Sequence, residues 1–314
     1  MNIAVLDDYQ AVAHSIVDWS VLGDDVRVDF FTEHLDEAPL VERISEYEIV
    51  VAMRERTPFP ARVLQRLPNL RLLVTTGMRN AAIDIDAARE AGVVVCGTVG
   101  LTWSTAELTW GLIIAAFRNL IVEHASMRAG GWQRTVGTDM AGRTLGLVGL
   151  GHLGARIARY GHAFEMHVVA WSPNLTVERA AEHDVTFLPR DEFFEQADVV
   201  SIHMVLGQRT RGLITEADLR RMKPTSYLVN TSRGPLVEAE GLLRALREHW
   251  IAGAAIDVYD TEPLPPSDEL RRLDNVILTP HIGYVTRDTY AHFFAGVVEG
   301  IQAFLGGAPI RLLT

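Results

Sequence analysis

Leu147-Val148-Gly149-Leu150-Gly151-His152-Leu153-Gly154 is a G-x-G-x-x-G motif in a telling position. The apolar run Thr144 to Val148 before it reads as a buried strand, and residues 155–164 after it read as a helix. A strand that enters a helix through such a loop opens a βαβ unit built to hold a dinucleotide. The three glycines have separate tasks there. Gly149 allows the tight turn, Gly151 lets the backbone approach a pyrophosphate, and Gly154 lets helix and strand pack closely. The pyrophosphate charge then rests on free N–H groups at the helix N-terminus, with His152, Leu153 and Gly154 among the cofactor-binding residues.

A chain of 314 residues suggests two domains, and 48% hydrophobic residues supply ample cores. The 29 basic and 40 acidic residues leave a net charge of −11, which argues against nucleic acid or an anionic membrane as the main partner. Cys96 is the only cysteine, so no intramolecular disulfide can form, as suits a reducing cytoplasm. It reads as a small buried side chain at the end of a strand. The N-terminus opens directly into a strand, Asn2 to Leu6, with no basic leader before it. The longest uncharged apolar run, Leu108 to Phe117, is well short of the ~20 residues needed to cross a bilayer. A soluble cytoplasmic protein is expected.

Along the first hundred residues, β-rich runs at Asn2–Leu6, Val26–Phe31, Glu48–Ala52, Leu70–Thr75 and Val93–Cys96 alternate with helical segments such as Pro39–Ser45, Pro60–Arg66 and Asp84–Ala91. This alternation predicts a parallel sheet with helices on both faces. Ser104 and Glu107 read as a capping box opening one long helix that runs to about Arg128 and stops at Gly130-Gly131. Six further strands follow, at Thr144–Val148, His167–Trp171, Val199–His203, Ser226–Asn230, Ala254–Val258 and Val276–Thr279. A last helix, about Thr286 to Leu305, carries Tyr290, Phe293, Phe294, Val297, Val298, Ile301, Phe304 and Leu305 at helical spacing, and should fold back onto the first domain. The expected architecture is α/β: two Rossmann-like, doubly wound parallel-sheet domains, the first flavodoxin-like and discontinuous. Residues 1–100 with 285–314 form a substrate domain, and 101–284 a dinucleotide-binding one.

Three segments after the glycine loop carry reactive side chains: Asn230-Thr231-Ser232-Arg233-Gly234, Asp257 to Pro263, and Thr279-Pro280-His281-Ile282-Gly283. Each ends a predicted strand, taken as the fourth, fifth and sixth of the second domain, and in the order 3-2-1-4-5-6 those ends are neighbours. Arg233, Glu262 and His281 can therefore converge beside a nicotinamide ring. Such a set suits reduction of a 2-oxo acid. Arg233 offers paired donors to the carboxylate and polarises the carbonyl. His281 is the general acid, and Glu262 orients its ring and favours the protonated form. No cluster with metal-ligand spacing is present, and none is needed.

With these motifs the chain resembles the D-isomer-specific 2-hydroxyacid dehydrogenases over nearly its whole length. The resemblance implies catalytic roles for Arg233, Glu262 and His281, and contacts from Asp257 and the region of Thr231 to the nicotinamide carboxamide. It also implies a homodimer built through the cofactor domains, and Glu262 separates the chain from the formate dehydrogenase branch, which has Gln there. Where family members carry an acid for the ribose 2′-hydroxyl, this chain has Ser172, within Ala170-Trp171-Ser172-Pro173-Asn174. NAD is expected, with NADP as the alternative and Arg179 the nearest cation for a 2′-phosphate. His152 stands where Arg is common and either contacts phosphate or caps the helix. The substrate-carboxylate turn of the family matches Thr75 to Asp84, with Met78 and Arg79 as N–H donors and Ala81-Ala82 in place of the usual Asp-Asn. Arg79 or Arg54 is expected to bind an extra anionic or polar group of a larger substrate, unless they form surface salt bridges with acids such as Glu55. His203 reads as structural or near the adenine. A cleft between the domains would close over the small-molecule substrate and exclude water. The rival readings are a dinucleotide-sensing, corepressor-like binding protein on the same fold and a reductase of another carbonyl class.

Overall fold

The computed structural model describes residues 1–313 and divides into two compact units, Met1–Leu101 with the chain from Thr286 onward, and Thr102–Val285. The first holds β1 (Asn2–Val5), β2 (Arg27–Phe30), β3 (Ile49–Ala52), β4 (Leu72–Thr75) and β5 (Val94–Gly97), in the order β2-β1-β3-β4-β5. Every pairing is parallel. β3 and β4 are buried along their whole length, because helices cover both faces of a parallel sheet. Leu40, Ile44, Phe59, Val63 and Leu64 form the core of one face with Val50 and Leu73. The helix Arg287–Leu305, capped by Thr286, packs on β4 and β5, so the end of the chain does fold back onto this unit. Its buried face runs from Tyr290 to Ile301; Leu305, expected on that face, is exposed.

The second unit contains β6 (Thr144–Val148), β7 (His167–Trp171), β8 (Thr186–Phe187), β9 (Val199–Ile202), β10 (Tyr227–Asn230), β11 (Gly253–Ile256) and β12 (Val276–Leu278). All are parallel, in the order β12-β11-β10-β9-β6-β7-β8. Seven strands replace the six expected. β8 has two residues, too few to leave a periodic signature, and it takes the third place in sequence. The strand ending near His203 is therefore the fourth, and those that carry the Arg233, Asp257 and His281 loops are the fifth to seventh. Those three remain adjacent, so the predicted neighbourhood survives the recount.

The single long helix after Ser104 is also corrected. It is two helices, Ser104–Phe117 and Leu120–Arg128, bent by 69°. Asn119 sits at φ +50°, a left-handed conformation that Asn tolerates better than most residues. The Phe117 carbonyl accepts the Thr138 N–H at 2.8 Å from the returning arm. Glu123 holds the same arm through Arg134 and Thr135. Ser104 is the first helical residue and Trp103 occupies the cap position, so the expected capping box does not form. Among the described residues no single helix is long and apolar enough to cross a membrane.

Candidate active site

The glycine loop links β6 to the helix His152–Ala163. Gly149 has φ +98°, and a Cβ there would lie 2.7 Å from the His203 carbonyl oxygen. A Cβ on Gly154 would lie 2.2 Å from the Gly149 oxygen, so helix and loop touch backbone to backbone. Gly151 is the exposed N-cap residue, with open space where a Cβ would stand, and His152 is the exposed first residue of the helix. The Gly151 carbonyl takes the Ala155 N–H, leaving the N–H groups of His152, Leu153 and Gly154 ahead of the first intrahelical bond. That geometry fits a dinucleotide pyrophosphate. Ser172 follows β7, half-buried, with its carbonyl accepting the Leu175 N–H at 3.2 Å. Arg179 is exposed on the helix Val177–Ala181.

The loops after β10, β11 and β12 interlock. Asn230 shapes the first: its Oδ1 accepts the Ser232 N–H and its Nδ2 donates to the Arg233 carbonyl. The Thr231 hydroxyl pairs with Thr109 at 2.7 Å, and Arg233 is half-buried, with Nη1 donating to the Ser232 carbonyl. Gly234 packs against the second loop so closely that a Cβ would stand 2.3 Å from the Tyr259 carbonyl carbon. In that loop Glu262 accepts the Tyr259 N–H on Oε1 at 2.8 Å and meets His281 Nδ1 through Oε2 at 2.5 Å. The pair is mostly shielded, with 29% of the Glu262 and 16% of the His281 side chain exposed, enough for a substrate to reach and little enough to strengthen the contact. The Tyr284 ring meets the imidazole edge-on at 5.5 Å.

Asp257 is fully buried and anchors the third loop. Its Oδ1 accepts the Thr279 hydroxyl and the Ile282 N–H, and its Oδ2 accepts the Gly283 N–H. Burial pushes this carboxyl above the ordinary carboxylate range, against the downward pull of those donors and of His281. The anchoring matters because His281 itself sits at φ +53°, a conformation that costs a non-glycine residue of the order of 1–3 kcal/mol and persists only where its surroundings impose it.

Arg233, Glu262 and His281 are the expected trio. The structure joins the last two directly and sets Arg233 on the adjacent strand end. Tyr259 joins them through its N–H on Glu262, and its only signal in the sequence is its place three residues before that acid. His203, expected to be structural or near the adenine, follows β9 beside the glycine loop. Both imidazole nitrogens of His203 are sealed from solvent with no hydrogen-bond partner among the described residues, and burial brings its pKa down to about 3.

Met78 and Arg79 lie in the first unit, in the turn after β4, and both side chains are exposed. Among the described residues no acceptor in the chain takes either N–H. Gly77 (φ +103°) donates to Thr98 Oγ1, and Asn80 clamps the turn to Thr75 and to the Arg54 carbonyl. The Arg54 guanidinium folds onto the same turn, donating to the Thr76 carbonyl at 3.1 Å, with Glu55 3.7 Å away. Arg54 is thus built into the turn, whereas Arg79 extends from it.

The profile of the D-isomer specific 2-hydroxyacid dehydrogenase NAD binding domain matches residues 110–283. A glyoxylate reductase of Korarchaeum cryptofilum is 36% identical over 284 residues, 87% of this chain and 85% of that protein. A D-3-phosphoglycerate dehydrogenase of Archaeoglobus fulgidus is 34% identical over 275 residues, covering 87% of this chain and 52% of the other. Among solved structures, a putative D-3-phosphoglycerate dehydrogenase oxidoreductase from Ralstonia solanacearum superposes with a TM-score of 0.95 at 38% identity, over 99% of this chain and 96% of that one. Glycine loop, parallel sheets and relatives agree: this chain belongs to the D-isomer specific 2-hydroxyacid dehydrogenases, and is an NAD-binding oxidoreductase.

Proposed function

We propose that the protein reduces a small 2-oxo acid to the D-2-hydroxy acid, with His281 as general acid, Glu262 as its partner and Arg233 holding the substrate. The observation that carries this reading is the Glu262–His281 pair, set on strand ends next to the Arg233 loop. When bound, the reduced nicotinamide supplies the hydride to the carbonyl carbon. Arg233 pairs with the carboxylate and draws charge onto the carbonyl oxygen. His281 protonates that oxygen from Nε2, because Nδ1 is committed to Glu262. Gly149, Gly151, His152, Leu153 and Gly154 receive the pyrophosphate. Asp257 and Thr231, at neighbouring strand ends, are the residues for the nicotinamide carboxamide.

In the first unit, the N–H groups of Met78 and Arg79 form an anion-binding turn that Arg54 stiffens, and the Arg79 side chain extends from it towards a further anionic group. The glyoxylate reductases among the relatives support a short 2-oxo acid, and the exposed Arg79 favours one with a further carboxylate or phosphate. The absence of an acid at Ser172 leaves NADP as an alternative to NAD. Leu120, Ile121, Met127 and Trp132, exposed on the bent helix and its arm, fit the apolar face of a homodimer.

A screen of 2-oxo acids with NADH and NADPH, with products resolved on a chiral column, tests the proposal. Glyoxylate and dicarboxylic 2-oxo acids should turn over, and His281→Asn should lower kcat by about 10²–10⁴-fold while NADH binding persists. No turnover with any 2-oxo acid would favour a dinucleotide sensor. Equal rates with a methyl ester would favour another carbonyl class.

A further inference from the structure

We infer that Tyr259 is a positioning residue for proton transfer, because it holds both members of the acid–base pair and braces the arginine loop. The inference rests on the reading of His281 as the general acid. Three contacts define it. The Tyr259 N–H donates to Glu262 Oε1 at 2.8 Å. Its phenol lies 2.8 Å from the Thr279 carbonyl and 3.1 Å from that of Ile256, sharing one hydrogen between them. The Tyr259–Asp260 peptide is the surface against which Gly234, next to Arg233, packs without room for a Cβ.

The Thr279 carbonyl is the point that matters. It also accepts the His281 N–H at 3.1 Å, closing a tight turn around Pro280 immediately before His281, which itself sits at φ +53°. The phenol therefore grips the oxygen on which the imidazole's backbone pivots, while the same residue's amide fixes the carboxylate that orients the ring. Asp257 secures the far side of the turn through Ile282 and Gly283. Without the phenol, the carbonyl that anchors the turn ahead of His281 is released on one side. Burial, together with the charges of Asp257 and Glu262, raises the phenol above its ordinary range, so it stays a donor at any working pH.

Tyr259→Phe removes the hydroxyl and leaves the ring and the amide contact in place. With glyoxylate and NADH, kcat should fall about tenfold as the imidazole drifts from alignment, while KM for glyoxylate and NADH affinity change by less than about twofold. The solvent isotope effect on kcat should rise, because proton transfer becomes more rate-limiting, and the alkaline limb of the kcat/KM profile should move to lower pH. A variant with unchanged kcat, isotope effect and pH profile would overturn the inference, whatever its melting temperature. Parallel loss of NADH binding would also overturn it, by making Tyr259 a general prop of the sheet edge. His281→Asn separates the two levels: full activity in that variant removes the acid–base reading itself, whereas an inactive His281→Asn beside an unaffected Tyr259→Phe removes only the role of Tyr259.

Discussion

His203 gives the protein a stability that depends on pH in a calculable way. Its residue surface is only half-buried, but both ring nitrogens are sealed and unpartnered, so a proton on the imidazole would have neither water nor acceptor. Burial brings its pKa down to about 3, against about 6.5 for an unfolded chain. A folded-state pKa that is depressed means the unfolded chain takes up the proton first. The stabilisation is complete above pH 6.5 and is lost as the pH falls from there towards 3. The slope is about 1.4 kcal/mol per pH unit, so moving from pH 7 to pH 5 should cost about 2 kcal/mol through this residue alone. Denaturant titrations of the protein and of His203→Leu at several pH values isolate it, because every other titrating group contributes to both curves. The leucine variant carries a constant packing offset, and only the difference in slope counts. The two stabilities should run parallel above pH 6.5, and by pH 5 their difference should have moved by about 2 kcal/mol in favour of the leucine variant. Parallel curves throughout would show that the imidazole is hydrated or paired, and would refute the reasoning.

Three further outcomes are expected. Gly154→Ala places a Cβ 2.2 Å from the Gly149 oxygen; overpacking of this kind costs about 1–3 kcal/mol. NADH affinity should fall about tenfold in a fluorescence titration, and an unchanged Kd would mean the helix can retreat freely. Ser172→Asp should raise the kcat/KM preference for NADH over NADPH at least about tenfold through repulsion of a 2′-phosphate, and an unchanged ratio would place cofactor choice elsewhere. Arg79→Ala should lower kcat/KM for a dicarboxylic 2-oxo acid about tenfold relative to glyoxylate, and an unaltered ratio removes Arg79 from substrate selection.

Several features of this fold are legible in linear sequence because they are local. Thr144 to Val148, Gly149, Gly151 and Gly154 follow one another, and the steric demands of a strand, a tight turn and a close helix contact act over a few residues. The central strands of both sheets show as apolar runs because helices bury both faces. Features decided by distant partners do not show. Asn119 breaks what reads as one helix because Thr138, from the returning arm, takes a helix carbonyl. β8 exists only because Thr186 and Phe187 lie alongside β7. Arg54 and Arg79 look equivalent in sequence, yet one is folded onto the Gly77 turn and the other is exposed.

The sequence by itself determined the βα alternation, the glycine-loop dinucleotide site and the residue types able to polarise and protonate a 2-oxo acid, because periodicity and side-chain chemistry are written residue by residue. Tertiary structure alone decided that Glu262 meets His281, that Asp257 and Tyr259 hold the turn between them, and that His203 is cut off from water. Those are relations between chain segments tens of residues apart, and they exist only once β10, β11 and β12 lie side by side and bring their loops to one edge.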